Sequence, residues 1–279
     1  MIWRSHTLVV LQWPSIYLSA MTNVLKQSPG SFCWIELSTS DQPAAKKFYS
    51  SLFGWTPNDS PMGPDDFYTI FNLDGRDAGA ALTLRKEERE QHVPPHWNLY
   101  IAVESADDAV ARAGKLGGKV LAPAFDVMDA GRMGVIQDPT GAVFCVWQAN
   151  KHSGLGVVGE NNSFCWADLV TPDPARAEKF YSSLFGWKLE RGEKDPSGYL
   201  HIKNGDSHIG GIPPAQRDAK IPPHWMIYFM VADVEAGSKK AKQMGATIHM
   251  PAQKMEGVGT WAILGDPQGA VFALFKSAR

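Results

Sequence analysis

The residues best suited to chemistry are two acids, Glu36 and Asp168. Each stands two positions after a tryptophan in the recurring word Cys-Trp-x-acid-Leu, at Cys33–Leu37 and Cys165–Leu169. A carboxylate set among apolar strand residues must be solvated, protonated or paired, because an isolated buried charge is expensive. With a raised pKa it would suit a general base or a receptor for a cation; the plainer alternative is simple exposure to water. Two histidines, His96 and His224, each close the word Pro-Pro-His before a tryptophan. Their recurrence fits a shared structural hydrogen bond at a rigid strand entry, or chemistry. The phosphate-binding, dinucleotide, zinc-protease and serine-hydrolase words are absent, which removes those routes.

The chain has 279 residues, 44% hydrophobic and 20% charged, with 27 basic against 29 acidic side chains. At about 150 residues per domain this leaves room for two folded domains. A net charge of -2 offers no basic field for nucleic acid. The three cysteines, Cys33, Cys145 and Cys165, lack C-x-x-C spacing and read as reduced thiols in a cytoplasmic protein. No apolar run reaches the ~18 residues of a membrane helix. Residues 1–20 have a loose signal-peptide outline, interrupted by Gln12 and Pro14. They imply export if they act as one, and a tail or a misplaced start at Met21 if they do not.

The helices and strands that must position the acids occur twice. Lys47–Trp55 (KFYSSLFGW) recurs unchanged as Lys179–Trp187, 132 positions later; Pro94–Trp97 recurs as Pro222–Trp225, and Asp138-Pro-x-Gly-Ala-Val-Phe144 recurs from Asp266, both at an offset of 128. The chain divides into an N-terminal extension (1–30), unit one (31–150), a Gly- and Asn-rich linker (151–162) and unit two (163–279). Asp41 with Pro43 predicts a helix start, Ala45, Phe48, Tyr49 and Leu52 give its apolar stripe, and Gly54 its stop. Asp173–Gly186 repeats this. Second helices are predicted over Ser105–Gly117 and Asp233–Gly245. Strands are predicted over 32–37, 67–73, 97–103, 134–137 and 143–148, with Asn204-Gly205 as a hairpin turn.

The words D-x-x-x-A-x-x-F-Y-x-x-L-F-G-W and D-P-x-G-A-V-F, in order and twice, resemble the vicinal oxygen chelate superfamily of glyoxalase I, bleomycin resistance proteins and extradiol dioxygenases. The resemblance implies an α+β fold of tandem glyoxalase-like domains. Each would have two βαβββ modules, four in all, with curved mixed sheets around a cavity and the units paired within the chain or in a homodimer. It also implies a divalent-metal site, and this sequence departs from it. The inherited ligand positions fall on Trp34 and Trp166, on Asn98 and Met226, on Cys145 and Ala273, and in Ala80-Ala81 and Gly210-Gly211. Tryptophan, methionine, alanine and glycine cannot hold a divalent cation, so neither unit keeps the site. The expectation is therefore no cofactor, with a metal site displaced to Asp168, His208 and His224 as the competing arrangement.

If Trp34 takes the inherited cavity-facing position, strand alternation places Glu36 beside it, with His96, Asn98 and Tyr100, and Cys145 and Trp147, on neighbouring strands. In unit two the same parity selects Trp166, Asp168, His224, Met226 and Tyr228. Such a lining suits a small planar or cationic ligand, though the tryptophans could equally be core plugs. Cys145 beside His96 or Asn98 could be read as a nucleophile pair or as a small buried hydrophobe, and Arg132 as an anion contact or a surface charge. Two functions follow: a small-molecule-binding protein of the bleomycin-resistance kind, working without metal, or a glyoxalase-like lyase, isomerase, hydroxylase or dioxygenase using Glu36 or Asp168 as base, with or without a divalent metal. The differences between copies, Asn98 against Met226 and Cys145 against Ala273, point to unit one as the more polar working site.

Overall fold

The computed structural model describes residues 27–64, 66–191, 198–218 and 220–278. The segment 1–20, with its signal-peptide reading, lies outside them. Unit one runs β1 (Phe32–Thr39), α1 (Gln42–Phe53), β2 (Thr56–Gly63), β3 (Asp66–Leu73), β4 (Arg76–Thr83), a short α2 (Lys86–Glu90), β5 (His96–Ala102), α3 (Ala106–Lys115), β6 (Lys119–Val127), β7 (Gly131–Gln137) and β8 (Val143–Ala149). Unit two repeats the order without α2: β9 (Phe164–Val170), α4 (Pro174–Phe185), β10 (Lys188–Arg191), β11 (Leu200–Asn204), β12 (Ser207–Ile212), β13 (His224–Met230), α5 (Val234–Gln243), β14 (Thr247–Met255), β15 (Gly259–Gly265) and β16 (Val271–Ser277). Each unit is two βαβββ modules, and the fold is α+β as the repeated words imply.

The local reasons are those legible in the words. Asp41 and Asp173 cap α1 and α4 through the Ala44 and Arg176 amides, both at 3.0 Å, and Gly54 and Gly186 stop them at φ 74° and 75°. That left-handed conformation suits glycine. The strands omitted from the expectation, β2, β4 and β6, lack an apolar alternation. β2 (TPNDSPMG) is a polar edge strand, where proline is tolerated because no ladder bond is needed on the open side.

Each unit forms one eight-stranded mixed sheet, ordered β2-β3-β4-β1-β5-β8-β7-β6 and β10-β11-β12-β9-β13-β16-β15-β14. The two modules join at the antiparallel pairs β1–β5 and β9–β13. Side-chain alternation then gives each sheet two faces. One carries helices and meets the other unit: Phe53 lies tilted against Phe229 at 4.8 Å, Trp97 stands edge-on to Phe229 at 5.3 Å, and Phe32 edge-on to Trp225 at 5.4 Å. The core is continuous across the two units, so apolar burial holds them together rather than the linker alone.

All three repeated words meet at this seam. Trp97 donates its indole N–H to the Tyr49 hydroxyl (3.2 Å), which donates to Asp266 of the other unit (3.0 Å); Trp225, Tyr181 and Asp138 repeat the chain at 3.2 and 3.0 Å. Trp55 and Trp187 reach across likewise, to the carbonyls of Asn162 and Gly30, both at 2.8 Å. The opposite face of each sheet, which carries Glu36 or Asp168, is free of the unit's own α1 or α4.

Candidate functional site

On the face of β1 away from the helices, Glu36 accepts hydrogen bonds from Tyr68 on β3 (2.8 Å) and Tyr100 on β5 (2.9 Å), and Trp34 donates its indole N–H to the Tyr68 hydroxyl (3.0 Å). Unit two builds the same cluster with one bond more. Asp168 accepts from Tyr199 (2.5 Å), Tyr228 (2.8 Å) and the Trp166 indole (3.0 Å), and that indole also reaches the Tyr199 hydroxyl (2.9 Å). Both acids are deeply placed, Glu36 at 8% exposure and Asp168 at 5%.

Burial raises both carboxyls above their ordinary range, against the tyrosine hydroxyls (and for Asp168 the Trp166 indole), which favour the ionised form; Arg85 also lowers Glu36. The facing phenols move up in turn, first by burial and then by the neighbouring carboxylate. Each tyrosine proton is held between its own oxygen and the acid. The hydroxyl oxygens keep acceptor lone pairs, which extends the negative surface outward.

The register shows what became of the inherited metal positions. Glu36 lies opposite Ala80 on β4 and Asn98 on β5; Asp168 lies opposite Gly211 and Met226. At Gly211 an added Cβ would fall 1.9 Å from the Tyr199 hydroxyl, so the space of a side chain there is filled by the phenol that bonds Asp168. Nitrogen and oxygen ligands have given way to tryptophan, alanine, glycine and methionine, and the one acid nearby already accepts two (Glu36) or three (Asp168) O–H and N–H donors. The residues present do not fit a divalent metal. The displaced set does not assemble either: His208 faces Glu190 at 4.0 Å, His224 hydrogen-bonds the Pro222 carbonyl, and among the described residues no three His, Cys, Asp or Glu side chains gather.

Other predicted residues fall into simpler roles. His96 and His224 use Nδ1 on the carbonyls of Pro94 (2.9 Å) and Pro222 (2.8 Å), the shared structural bond; burial lowers the pKa of His224. Asn98 donates to Ser38 (3.0 Å). Cys145 pairs in register with Tyr100 and is 3% exposed, and burial pushes its thiol up, which removes the nucleophile reading. Arg132 is held by Asp107 (2.7 Å) and Asp126 (2.9 Å) and is a surface charge. Met226 is buried beside Asp168's strand. Sequence reasoning missed Tyr68 and Tyr199. Tyr68 lies in β3 and Tyr199 just before β11, in segments too dissimilar to align on composition.

The linker composition did not reveal its path: residues 150–160 cross the carboxylate face of unit one. The amides of Asn150 and His152 bond the Ala130 carbonyl, the Trp147 indole bonds the His152 carbonyl (2.8 Å), Leu155 N–H bonds Cys33 O (2.7 Å) and Gly156 N–H bonds Asp77 O (2.7 Å). The His152 ring stands edge-on to Trp34 at 4.5 Å, and Arg76 pairs Glu160 through both nitrogens. Trp34, Tyr100, Met133 and Trp147 are consequently buried, whereas their counterparts Trp166, Tyr228, Trp261 and Phe275 are half-buried. The linker thus covers the aromatic residues on this face of unit one, while the acids themselves are buried in both units, Glu36 at 8% and Asp168 at 5% exposure. A separate cleft of about 450 Å³ lies where Val103–Ala109 of unit one meets Ser183–Gly186 of unit two, away from both acids.

Known proteins agree with this architecture. A sequence model of the Glyoxalase/Bleomycin resistance protein/Dioxygenase superfamily matches residues 31–146 and again 163–274. The chain is 41% identical over 253 residues to "Putative glyoxylase CFP32" of Mycobacterium tuberculosis (strain CDC 1551 / Oshkosh), covering 88% of this chain and 94% of that protein. It is 31% identical over 264 residues to anthracycline biosynthesis protein DnrV of Streptomyces peucetius, covering 89% and 94%. Among solved structures, the Mn(II)-bound glyoxalase from Novosphingobium aromaticivorans superposes with a TM-score of 0.62 at 18% identity, covering 90% of this chain and 83% of that one. The 2,3-dioxygenase LapB from Pseudomonas sp. KL28 gives 0.62 at 13%, covering 91% and 94%; at such identities the likeness is one of fold. Two matched units, the module order and the full-length relatives together place this chain in the glyoxalase/bleomycin resistance protein/dioxygenase superfamily, in tandem form.

Proposed function

We propose that this protein binds a small aromatic or cationic molecule at a carboxylate-centred site and does so without a metal ion. The observation that carries the reading is the Asp168 cluster: a buried acid ringed by Trp166, Tyr199 and Tyr228, with no cationic side chain among the described residues bonded to it. Such an arrangement keeps negative charge beside aromatic faces, which suits a planar or positively charged ligand. A relative, DnrV of Streptomyces peucetius, is named as an anthracycline biosynthesis protein, and this supports a small-molecule ligand. The alternative, an enzyme using the acid as base, is favoured by the raised carboxyl pKa values. It is opposed by the donors that already occupy most of the acid's lone pairs.

Calorimetric titration with 2-naphthylmethanol and 2-naphthylmethylammonium tests the reading. Saturable binding of at least one of them to protein dialysed against a chelator is the expected result, and failure of both to bind would refute it.

A further inference from the structure

We propose that the bound molecule presents a flat aromatic ring, and that this ring seats in unit two between Trp166 and Phe275, in the slot that the chain's own His152 fills in unit one. The inference rests on the proposed binding function and narrows it to one slot and to a ring rather than a charge. Its first observation is the occupant of the matched slot. In unit one the linker carries the His152 imidazole edge-on to Trp34 and Trp147, with ring centroids 4.5 and 6.1 Å away. His152 is 8% exposed and both tryptophans are buried. This face of the fold thus already holds one planar ring, by the edge-to-face contacts that aromatic pairs favour.

The second observation is that unit two builds the same walls. Trp166 is turned as Trp34 is: each donates its indole N–H to a tyrosine hydroxyl, Tyr199 at 2.9 Å and Tyr68 at 3.0 Å. Phe275 takes the place of Trp147, because each ring lies across a glycine of the neighbouring strand. An added Cβ would fall 2.9 Å from the Phe275 ring at Gly259 and 2.5 Å from the Trp147 ring at Gly131. Trp261 stands directly opposite Phe275 across β15 and β16. Among the described residues no ring of this chain stands against Phe275, and the His201 ring meets Trp166 from β11 at 6.4 Å. Trp166, Trp261 and Phe275 are accordingly half-buried. Walls that hold a ring in one copy and stand open in the other are suited to a ring supplied by a ligand.

The third concerns charge at the end of the slot. Nε2 of His152 lies 3.4 Å from the Asp77 carboxylate, and Asp77 stands three residues before Ala80, the strand partner of Glu36. The same place in unit two, three residues before Gly211, the strand partner of Asp168, belongs to His208. A carboxylate that favours a cationic ring is replaced there by an imidazole. Unit two keeps the aromatic walls and drops that anionic anchor, so its slot selects a ring and not a positive charge.

The test is calorimetry on the full chain with 2-naphthylmethanol and its saturated counterpart, decahydro-2-naphthalenemethanol. One site per chain is expected, with the aromatic alcohol bound about fivefold or more tighter than the saturated one, the margin that aromatic contacts add beyond area burial. Trp166→Leu and Phe275→Leu, on opposite walls, should each weaken the aromatic alcohol about fivefold and bring the two alcohols closer in affinity. The comparison of the two alcohols on the parent chain does not depend on either variant folding. Equal affinity for the two alcohols, two aromatic sites per chain, or full affinity in both variants would overturn the inference while leaving small-molecule binding intact. Binding of 2-naphthylmethylammonium without binding of 2-naphthylmethanol would do the same. Failure of both naphthyl probes to bind would overturn both readings.

Discussion

The hydroxyl of Tyr49 lies 3.0 Å from Asp266, 217 positions further along the chain, and the hydroxyl of Tyr181 lies at the same distance from Asp138. The two words that recur most faithfully, FYSSLFGW and DPxGAVF, are therefore the two sides of the seam between units. Asp266 is fixed from its own turn by the amides of Gln268, Gly269 and Ala270 at 2.8–2.9 Å, which aims its second oxygen across the interface. Burial raises its pKa, against these amides and the Tyr49 hydroxyl.

Tyr49→Phe removes one bond from Asp266 and strips the Trp97 indole of its acceptor, both in a buried setting. A loss of about 1–3 kcal/mol in urea unfolding is expected, the usual cost of leaving buried polar groups unpaired, with the two units still unfolding in a single transition. Separate transitions for the two units in the parent protein would contradict a shared core.

Those words made the helices and the module order legible, because capping and stop residues act locally: Asp41 and Gly54 define α1 whatever surrounds it. The carboxylate sites were half legible. Strand parity put Trp34, Glu36 and Tyr100 on one face, but Tyr68 arrives from β3 and Tyr199 from the residue before β11, segments whose sequences share little, and their contribution depends on sheet order. The path of the linker was not legible, because glycine-rich composition speaks only of backbone freedom. Gly154 spends that freedom on a φ of 111° that sets its Cα against the Cys33 carbonyl, a contact between residues far apart in sequence.

At Gly154 an added Cβ would fall 2.1 Å from Cys33 O. Gly154→Ala is therefore expected to lift the linker from unit one, costing about 1–3 kcal/mol through backbone strain. Hydrogen exchange at the Leu155 and Gly156 amides, which bond Cys33 and Asp77, should accelerate with it. Unchanged protection at those amides would show that the linker is not held as described.

Stability should respond to acid in a characteristic way. Glu36 and Asp168 have folded pKa values above their ordinary 4.5 and 3.8. Between those values and the raised ones, the folded chain binds more protons than the unfolded chain, so their contribution to stability rises as pH falls through that window. His224 acts oppositely: its pKa is lowered from 6.5, so the stability it contributes is complete above about 6.5 and is lost as pH falls below it. Asp168→Asn should therefore leave the urea midpoint at pH 7 unchanged or raised, and should flatten the gain on the acid side. A clear drop in the midpoint at pH 7 would mark Asp168 as a structural acid rather than one retained for a ligand.

If a hydrogen-bonded carboxylate has taken over from the inherited metal positions and binds ligand directly, ligand affinity is independent of metal. The most direct measurement is the affinity for 2-naphthylmethylammonium of protein dialysed against a chelator, compared with the same protein supplied with Mn(II), Ni(II) or Zn(II). Equal affinity in all samples is predicted, with no saturable uptake of the metal. Binding of the probe only in a metal-loaded sample, with one metal ion held per unit, would contradict it.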